Sequence, residues 1–288
     1  MGVVRLADSA GETITLLDVD GDYFPPDLDA GVIQGLKTFN FRPDDVIVCS
    51  YPKTGCHWIW EVTRMLLSGS TDVDETEKEL MMMEWQTQQY FDSKPAPRVL
   101  NTHALPRQLN ADLLRMRAKI VFILRNPKDV AVSFYHHHLK LPEYEYRGSW
   151  AAYLHLFLTG NVDYGSVFEY MKDWEAFIHQ HPDYPLIVIT YEDLKEDPVR
   201  ELSRLSQFLD KNHNRDFVER VADSCSFLRM KERKGHNWLT NGGDTIFYRK
   251  GEVGDWRNWF TVTQNLTFDA ACRDKMAGSC FKLRETLQ

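Results

Sequence analysis

A lysine-bearing segment with the sequence Tyr51-Pro52-Lys53-Thr54-Gly55-Cys56-His57-Trp58 stands between a short apolar run and an amphipathic stretch. A turn from a strand into a helix directs backbone N–H groups and the positive end of the helix dipole at one point. The Lys53 ammonium adds a full positive charge there. The segment indicates a phosphate-binding loop, although the order Lys-Thr-Gly and the missing first glycine exclude a Walker A sequence. An ordinary strand-to-helix turn is the alternative.

Further cations stand in two other segments. Arg125 opens the stretch Arg125-Asn126-Pro127-Lys128-Asp129-Val130-Ala131-Val132-Ser133, directly after an apolar run. An arginine at the end of a strand can hold a phosphate through two hydrogen bonds, or it can pair with Asp129. The segment Tyr248-Arg249-Lys250-Gly251 can close over an anion or form a solvated basic turn.

Histidines provide the candidate proton-transfer groups. In Asn101-Thr102-His103-Ala104-Leu105-Pro106, His103 follows a short β-type run, so it is either a general base or a structural histidine. The run His136-His137-His138 has the residue type of a metal site. Successive helical residues point about 100° apart, so these three rings cannot converge on one ion. We therefore predict no metal.

Four β-type runs position these segments, namely Val46–Ser50, Val99–Thr102, Lys119–Leu124 and Leu186–Thr190. Apolar strands separated by helical stretches predict an α/β fold with a central parallel sheet flanked by helices. Ligands bind beyond the carboxyl ends of such strands, which is where the candidate segments begin. Asn126 and Pro127 predict a helix that starts there and runs to about Lys140. Residues 237–254 predict a long ordered loop, and residues 263–276 a helix.

Composition limits the class of protein. The chain has 288 residues, with 34 Lys and Arg against 42 Asp and Glu for a net charge of −8, and 43% hydrophobic residues. This supports a single domain over 1–288, with 1–40 and 277–288 peripheral, and argues against a nucleic-acid partner. No apolar run approaches the roughly 20 residues of a membrane span. Five cysteines without a C-x-x-C pair, and no signal-like start, indicate a cytoplasmic protein.

Taken together, the segments resemble the cytosolic sulfotransferase family. This family transfers a sulfuryl group from 3′-phosphoadenosine-5′-phosphosulfate (PAPS) to a small acceptor and releases 3′-phosphoadenosine-5′-phosphate (PAP). The resemblance extends from about Arg42 to Asp269 and includes a P-loop-like strand–loop–helix. Cys56 interrupts the family's Tyr-Pro-Lys-(Ser/Thr)-Gly-Thr-x-Trp pattern, and Ala104 interrupts its Thr-His-Leu-Pro pattern. Five segments match in order, over residues 51–58, 102–106, 125–133, 191–194 and 249–256.

The resemblance implies a role for each matched residue. His103 would take the proton from the acceptor hydroxyl, Lys53 would stabilise the bridging oxygen as the sulfuryl group leaves, and Ser133 would assist. No metal is required, because Lys53 and the helix N-terminus carry the positive charge. The cofactor-binding residues would be Lys53, Thr54, Gly55, Cys56, His57, Trp58, Arg125, Ser133, Tyr191, Cys225, Phe227, Met230, Arg249, Lys250 and Gly251.

Several positions depart from the family pattern. Cys56 and His57 replace hydroxyl residues that usually donate to the 5′-phosphate. Asn101 replaces a lysine that usually lies two residues before the histidine, which removes one cation near the acceptor oxygen. In the family's short dimer motif, Arg257 and Leu266 stand where lysine and glutamate are usual. We therefore expect a monomer or a weak homodimer.

The acceptor pocket is implied by alignment to contain Met82, Trp85, His137, Trp238 and Phe247. Aromatic walls suit a flat phenolic ring. Glu143 or Glu145 can pair with a ligand ammonium, which would favour a catecholamine-type acceptor, or both are solvated loop charges. We expect a PAPS-dependent sulfotransferase acting on a phenol, a catechol or a related alcohol. The alternatives are an inactive relative that binds the nucleotide or a small ligand, and a P-loop phosphotransferase that would need magnesium.

Overall fold

The computed structural model describes residues 1–73, 75–234, 245 and 248–287. The strands are β1 Gly2–Ala7, β2 Thr13–Val19, β3 Asp22–Phe24, β4 Val46–Ser50, β5 Val99–Thr102, β6 Lys119–Leu124 and β7 Leu186–Thr190. The α-helices are α1 Ala30–Gly35, α2 Cys56–Ser68, α3 Gln88–Asp92, α4 Asp112–Met116, α5 Pro127–Lys140, α6 Trp150–Thr159, α7 Val167–Gln180, α8 Tyr191–Glu196, α9 Pro198–Phe208, α10 Arg215–Ser224, α11 Phe227–Lys234 and α12 Val262–Lys275. In the described part of the chain, no helix has both the length and the apolar character to cross a bilayer.

A four-stranded parallel sheet forms the centre of the molecule. Its strand order is β5-β4-β6-β7, so β4 and β6 lie in the middle and are almost entirely buried. Strands that are buried on both faces can be apolar throughout. Such continuous apolar runs can be recognised as strands in the sequence. The predicted α/β fold with a parallel sheet flanked by helices is confirmed, and each of the four predicted strands forms at its predicted bounds.

Helix boundaries also follow from local chemistry. The Asn126 side chain accepts a hydrogen bond from the backbone N–H of Lys128 at 2.9 Å, and Pro127 is the first residue of α5. Proline has no backbone N–H, and this is no loss at the first position of a helix, where an N–H would have no partner within the helix. Helix α5 ends at Lys140, as predicted, and α12 confirms the helix predicted over 263–276. The loop predicted over 237–254 lies largely outside the described residues.

A second sheet, which no sequence pattern predicted, is formed by β1, β2 and β3 in antiparallel order. Ile14 and Leu16 of β2 are fully buried and belong to the same hydrophobic cluster as the central sheet. The outer strand β1 is mostly exposed, so its residues carry little of the apolar alternation that reveals a strand in a sequence.

A buried ion pair connects the entrance of β4 to the entrance of β5. The Arg98 guanidinium donates to both carboxylate oxygens of Asp45, at 2.7 and 2.5 Å, and both side chains are fully buried. Asp45 also accepts from the backbone N–H of Arg42. The pair is therefore formed inside the protein, where an unpaired charge is costly.

Replacing Arg98 with leucine should destabilise the fold by about 3–5 kcal/mol, because it leaves the Asp45 carboxylate buried without its cation. Urea unfolding followed by circular dichroism measures this change in the free energy of unfolding. Arg115→Leu is the matched control: Arg115 pairs with Asp112 on the surface, so its loss should leave stability nearly unchanged. Equal stability of the Arg98 variant and the control would contradict this role of the pair.

Candidate active site

The carboxyl ends of the parallel strands open into one cavity of about 360 Å³. Lys53 follows β4, His103 follows β5, Arg125 follows β6 and Tyr191 follows β7, and all four line this cavity. Parallel register forces this meeting, because strands that run in one direction end at the same edge. The cavity therefore lies at the edge of the sheet that the sequence predicted.

The loop from β4 to α2 is held in a tight curl. Lys53 and Gly55 both have positive φ angles, of 67° and 106°. A side chain at position 55 would place its Cβ 2.8 Å from the Tyr191 ring, so only glycine fits. Helix α2 then begins at Cys56, and its first three residues line the cavity. The positive end of the helix dipole is consequently at the cavity wall.

The Lys53 ammonium lies at the centre of a group of cations. Its Nζ is 3.4 Å from Nδ1 of His137. Burial and, to a smaller extent, the positive charges of Lys78, Arg125 and Arg249 lower the pKa of Lys53 to about 7, against the opposing effect of nearby Glu79. The lowered pKa means that the cavity disfavours the protonated form of Lys53. A bound anion would reduce the repulsion among the cations, so the cavity favours anion binding.

Two arginines from distant segments line the same cavity. Arg125 donates to the carbonyl oxygens of Lys53, at 3.2 Å, and Glu252, at 2.8 Å, and its guanidinium lies 4.1 Å from the centre of the Tyr191 ring. Arg249 donates to Asp255 at 2.6 Å. The Nε atoms of both arginines are buried and have no hydrogen-bond partner among the described residues. Both therefore keep a buried donor that an anionic ligand could satisfy.

Asp129 organises the loop that carries Arg249. One carboxylate oxygen accepts from the backbone N–H of Gly254 at 2.7 Å, and the other from that of Trp256 at 3.0 Å. Its distance to Arg125 is longer, at 3.9 Å. The pairing of Arg125 with Asp129 considered from the sequence is thus present but weak, and the carboxylate mainly fixes the loop.

An aromatic and apolar wall faces the cations. The Phe227 ring lies against Gly251, where any Cβ would overlap it. The Trp58 ring meets the Tyr191 ring at 5.6 Å, and its Nε1 is buried without a partner among the described residues. Cys225 and Met230 complete the same wall. Flat aromatic rings in the wall of the cavity are suited to contact with a planar base.

His103 is held in one tautomer. Its Nδ1 lies 2.6 Å from the carbonyl oxygen of Ser50, so Nδ1 must donate and Nε2 keeps the unprotonated lone pair. Burial lowers the pKa of His103 to about 3, with a further contribution from the charge of Lys78, so the ring is neutral near pH 7. A neutral imidazole with its lone pair on Nε2 can accept a proton from a hydroxyl group.

Glu84 fixes the backbone that carries His103. Its Oε1 accepts from the backbone N–H of His103 at 2.6 Å and from the Thr102 hydroxyl at 2.8 Å. Burial raises the pKa of Glu84, and these hydrogen bonds oppose the rise. This carboxyl group thus positions the histidine through its backbone. No sequence motif indicated Glu84.

The two departures at the start of α2 have different surroundings. Burial raises the pKa of Cys56, which keeps its thiol protonated and a weak donor. His57 has a pKa held well below its usual value by burial and by nearby lysines, and its Nε2 lies 3.2 Å from Oε1 of Glu79. The Glu79 carboxylate is therefore the acidic group beside the His57 ring.

Most residues implied for the site line the cavity, including Ser133, Lys250, Met82, Trp85 and His137. Thr54 does not, because its buried hydroxyl donates to the Tyr51 carbonyl at 2.8 Å. Trp238 and Phe247 lie outside the described residues.

The rings of the histidine run diverge, as predicted. His136 packs against Trp259, whereas Nε2 of His138 lies 2.6 Å from Asp163. His137 lines the cavity beside Lys53.

Several residues that line the cavity were not indicated by the sequence, because they lie in segments outside the motifs. Lys78 and Glu79 lie in a 3₁₀ turn, Lys78–Met81, within a charged stretch that reads as surface loop. Asp27 comes from the N-terminal segment, and Tyr164 from a loop after α6. The only hint was indirect: the usual lysine is missing at Asn101, so a compensating cation could be sought elsewhere.

Comparison with known proteins assigns the family. Residues 43–280 match the model of the sulfotransferase domain. Sulfotransferase 1B1 of the dog, Canis lupus familiaris, is 33% identical over 269 residues, covering 87% of this chain and 90% of the relative. Human sulfotransferase 1C2 is 31% identical, covering 96% and 97%. The crystal structure of mouse sulfotransferase SULT7A1 complexed with PAP has a TM-score of 0.77 at 31% identity, covering 92% of this chain and 96% of that one. The chain therefore belongs to the sulfotransferase family.

Proposed function

We propose that this protein transfers a sulfuryl group from PAPS to the hydroxyl group of a small acceptor. The observation that carries the proposal is the meeting of Lys53, Arg125 and Arg249 with the Nε2 lone pair of His103 around one cavity. The family supports the transferase class, and a solved mouse relative was crystallised with PAP.

The residues present fit a nucleotide with two separate anionic groups. The buried Nε donors of Arg125 and Arg249 would hold the 3′-phosphate together with Ser133, Lys250 and Gly251. Lys53 and the start of α2 would hold the 5′-phosphosulfate. Trp58 and Phe227, which both line the cavity, would contact the adenine, with Tyr191, Cys225 and Met230 at its edge.

Bound PAPS supplies the sulfuryl group and a phosphate leaving group. His103 accepts the acceptor's hydroxyl proton at Nε2, since Nδ1 is committed to the Ser50 carbonyl. The charge on the resulting imidazolium is tolerated only transiently, because burial strongly disfavours it. The Lys53 ammonium stabilises negative charge on the oxygen that leaves.

His103→Ala should lower kcat for transfer from labelled PAPS to a phenol by about 10²–10⁴-fold, because the proton acceptor is lost. PAP affinity, measured by calorimetry, should change little. The assay is run with EDTA, since retained wild-type activity without magnesium separates this reaction from P-loop phosphotransfer. Normal turnover by His103→Ala would refute the base assignment, and PAP binding without wild-type turnover would favour an inactive relative.

PAP binding at about pH 8 should take up close to one proton. Lys53, with a pKa of about 7, is mostly neutral there in the unbound protein, and the added phosphates raise its pKa so that it becomes protonated. Calorimetry in two buffers of different ionisation enthalpy measures the uptake, which should shrink towards pH 6 and disappear in Lys53→Met. A buffer-independent enthalpy at about pH 8 would contradict this role of Lys53.

The acceptor end of the cavity carries acidic groups as well as rings. Glu143 lines the cavity with Asp27, and both pKa values are raised by burial and, to a smaller extent, by a nearby acidic group. A positively charged ammonium group on the acceptor would favour the ionised form of these carboxyl groups and so offset the cost of burying their charge. Glu145 instead accepts from Arg5 at 2.6 Å and from Thr15 at 2.9 Å, outside the cavity. Of the two glutamates considered from the sequence, we propose Glu143 for a phenolic amine of the catecholamine type.

Glu143→Gln should lower kcat/KM for dopamine about fivefold relative to an uncharged phenol of similar size, the usual value of a partly exposed ion pair. Glu145→Gln is the matched control, with the same change two residues away, and should leave the dopamine preference intact. Equal kcat/KM of the wild-type protein for the two acceptors would exclude an ammonium-binding role for Glu143.

We also propose that the protein is a monomer or a weak homodimer. Val262 and Leu266 are exposed on α12, at 79% and 62% of their surface. Leu266 cannot form the ion pair that a glutamate would make at this position, so the contact available to a second copy is small and apolar.

A further inference from the structure

Lys78 and Asn101 form a closed pair inside the protein. Lys78 Nζ donates to Oδ1 of Asn101 at 3.0 Å, and Nδ2 of Asn101 donates to the backbone carbonyl of Lys78 at 2.8 Å. Asn101 is fully buried in β5, and Lys78 is 5% exposed. Two reciprocal hydrogen bonds therefore fix the lysine side chain and the 3₁₀ turn that carries it.

This ammonium lies at the cavity and acts on its reactive groups. Lys78 lines the cavity wall together with Lys53, His57 and His103. Among neighbouring charges, it contributes most to the lowered pKa of each of these three groups. Lys78 is therefore close to both the leaving-group lysine and the proposed base.

The hydrogen-bonding capacity of Lys78 is not used up. An ammonium has three N–H donors, and the described hydrogen bond of Lys78 Nζ is the one to Asn101 Oδ1, because Glu79 Oε1 is 3.7 Å away and beyond hydrogen-bond distance. That glutamate oxygen also lies 3.2 Å from Nε2 of His57. At least one donor of Lys78 therefore has no acceptor among the described residues, and a buried lysine needs one.

The 3₁₀ turn that carries Lys78 also contacts two of the positions that depart from the family pattern. Asn101 stands where the family has a lysine, and Lys78 brings an ammonium to the side chain of that position from another segment. His57 stands where a hydroxyl is usual, and Oε1 of Glu79, the next residue of the same turn, lies 3.2 Å from its Nε2. Through these two contacts, one short turn places charged groups beside both Asn101 and the start of α2.

We propose that Lys78, positioned by Asn101, donates a hydrogen bond to the acceptor oxygen and stabilises its negative charge as the proton leaves. This rests on the proposed function, in which a hydroxyl acceptor reacts beside His103. Asn101 is the positioning residue, since it touches Lys78 and not the acceptor. Bond making and bond breaking are unchanged: the proton goes to His103, and Lys78 keeps its own protons.

Other charged groups around His103 must be kept constant in the test. Lys53 also lowers the pKa of this histidine, and Glu84 accepts from its backbone N–H. His57 and His137 carry pKa values held well below their usual range, so both are neutral near pH 7. The variants therefore change only positions 78 and 101.

Lys78→Met should lower kcat for an unsubstituted phenol about 100-fold, the usual cost of losing one donor to a developing oxyanion. For 4-nitrophenol, which is largely ionised before reaction, the loss should be under about tenfold, because less charge develops on its oxygen. The KM for PAPS should change little. Lys211→Met, at an exposed lysine distant from the cavity, is the control and should match the wild type.

A binding measurement tests the same contact without turnover. With PAP present, the absorbance of bound 4-nitrophenol reports its ionisation. Lys78→Met should raise the pKa of the bound phenol by about one unit or more, because an adjacent positive charge is lost. The exchange variant Lys78→Asn with Asn101→Lys returns the ammonium to position 101 and should restore kcat to within about tenfold of the wild type.

Two outcomes would overturn the proposal. One is an equal loss of kcat for both phenols, with an unchanged pKa of the bound nitrophenol, which assigns Lys78 a structural role. The other is an exchange variant that folds, judged by its thermal unfolding, yet is no more active than Lys78→Met. A wild-type protein that binds and ionises nitrophenol but transfers no sulfuryl group would contradict the proposed function and leave the contact with Lys78 supported.

Discussion

Six basic side chains line one cavity, and their mutual repulsion has to be balanced by the rest of the chain: Lys53, Lys78, Arg125, Lys195, Arg249 and Lys250. Part of the balance is visible in the lowered pKa of Lys53. The remainder is supplied by bonds to carbonyl oxygens and by a few carboxylates. Such a site is less stable empty than filled, so anion binding and stability of the cavity are linked.

Several carboxylates near the cavity accept hydrogen bonds from backbone N–H groups or from basic side chains of the protein itself. Asp129 holds the N–H groups of the loop that follows Arg249, and Asp255 accepts from Arg249 and Lys250. Glu84 plays the same part behind His103. Because these groups are fixed before a ligand arrives, the donors need little rearrangement when negative charge develops, which is how a preorganised site lowers a reaction barrier.

The departures from the family pattern are easier to understand together than singly. Asn101 alone looks like the loss of a cation, and His57 alone looks like the loss of a hydroxyl donor. In the folded protein both are partners of adjacent residues, Lys78 and Glu79, on one 3₁₀ turn. A residue pair that is distant in sequence can preserve the charge of a site when a motif residue changes.

The sequence by itself determined the parallel strands, the start of α5 and the motif residues that line the cavity. These follow from local rules: apolar runs form buried strands, Asn126 and Pro127 start a helix, and parallel strands end at one edge. Only the tertiary structure revealed the contacts of Lys78 and Glu84, which lie in no motif, and separated Glu143, which lines the cavity, from Glu145, which does not. Their meaning depends on which distant groups they contact, such as Asn101 across 23 positions, and no periodicity records a contact of that kind. The N-terminal sheet escaped prediction for the related reason that β1 is mostly exposed and its residues lack a clear apolar alternation.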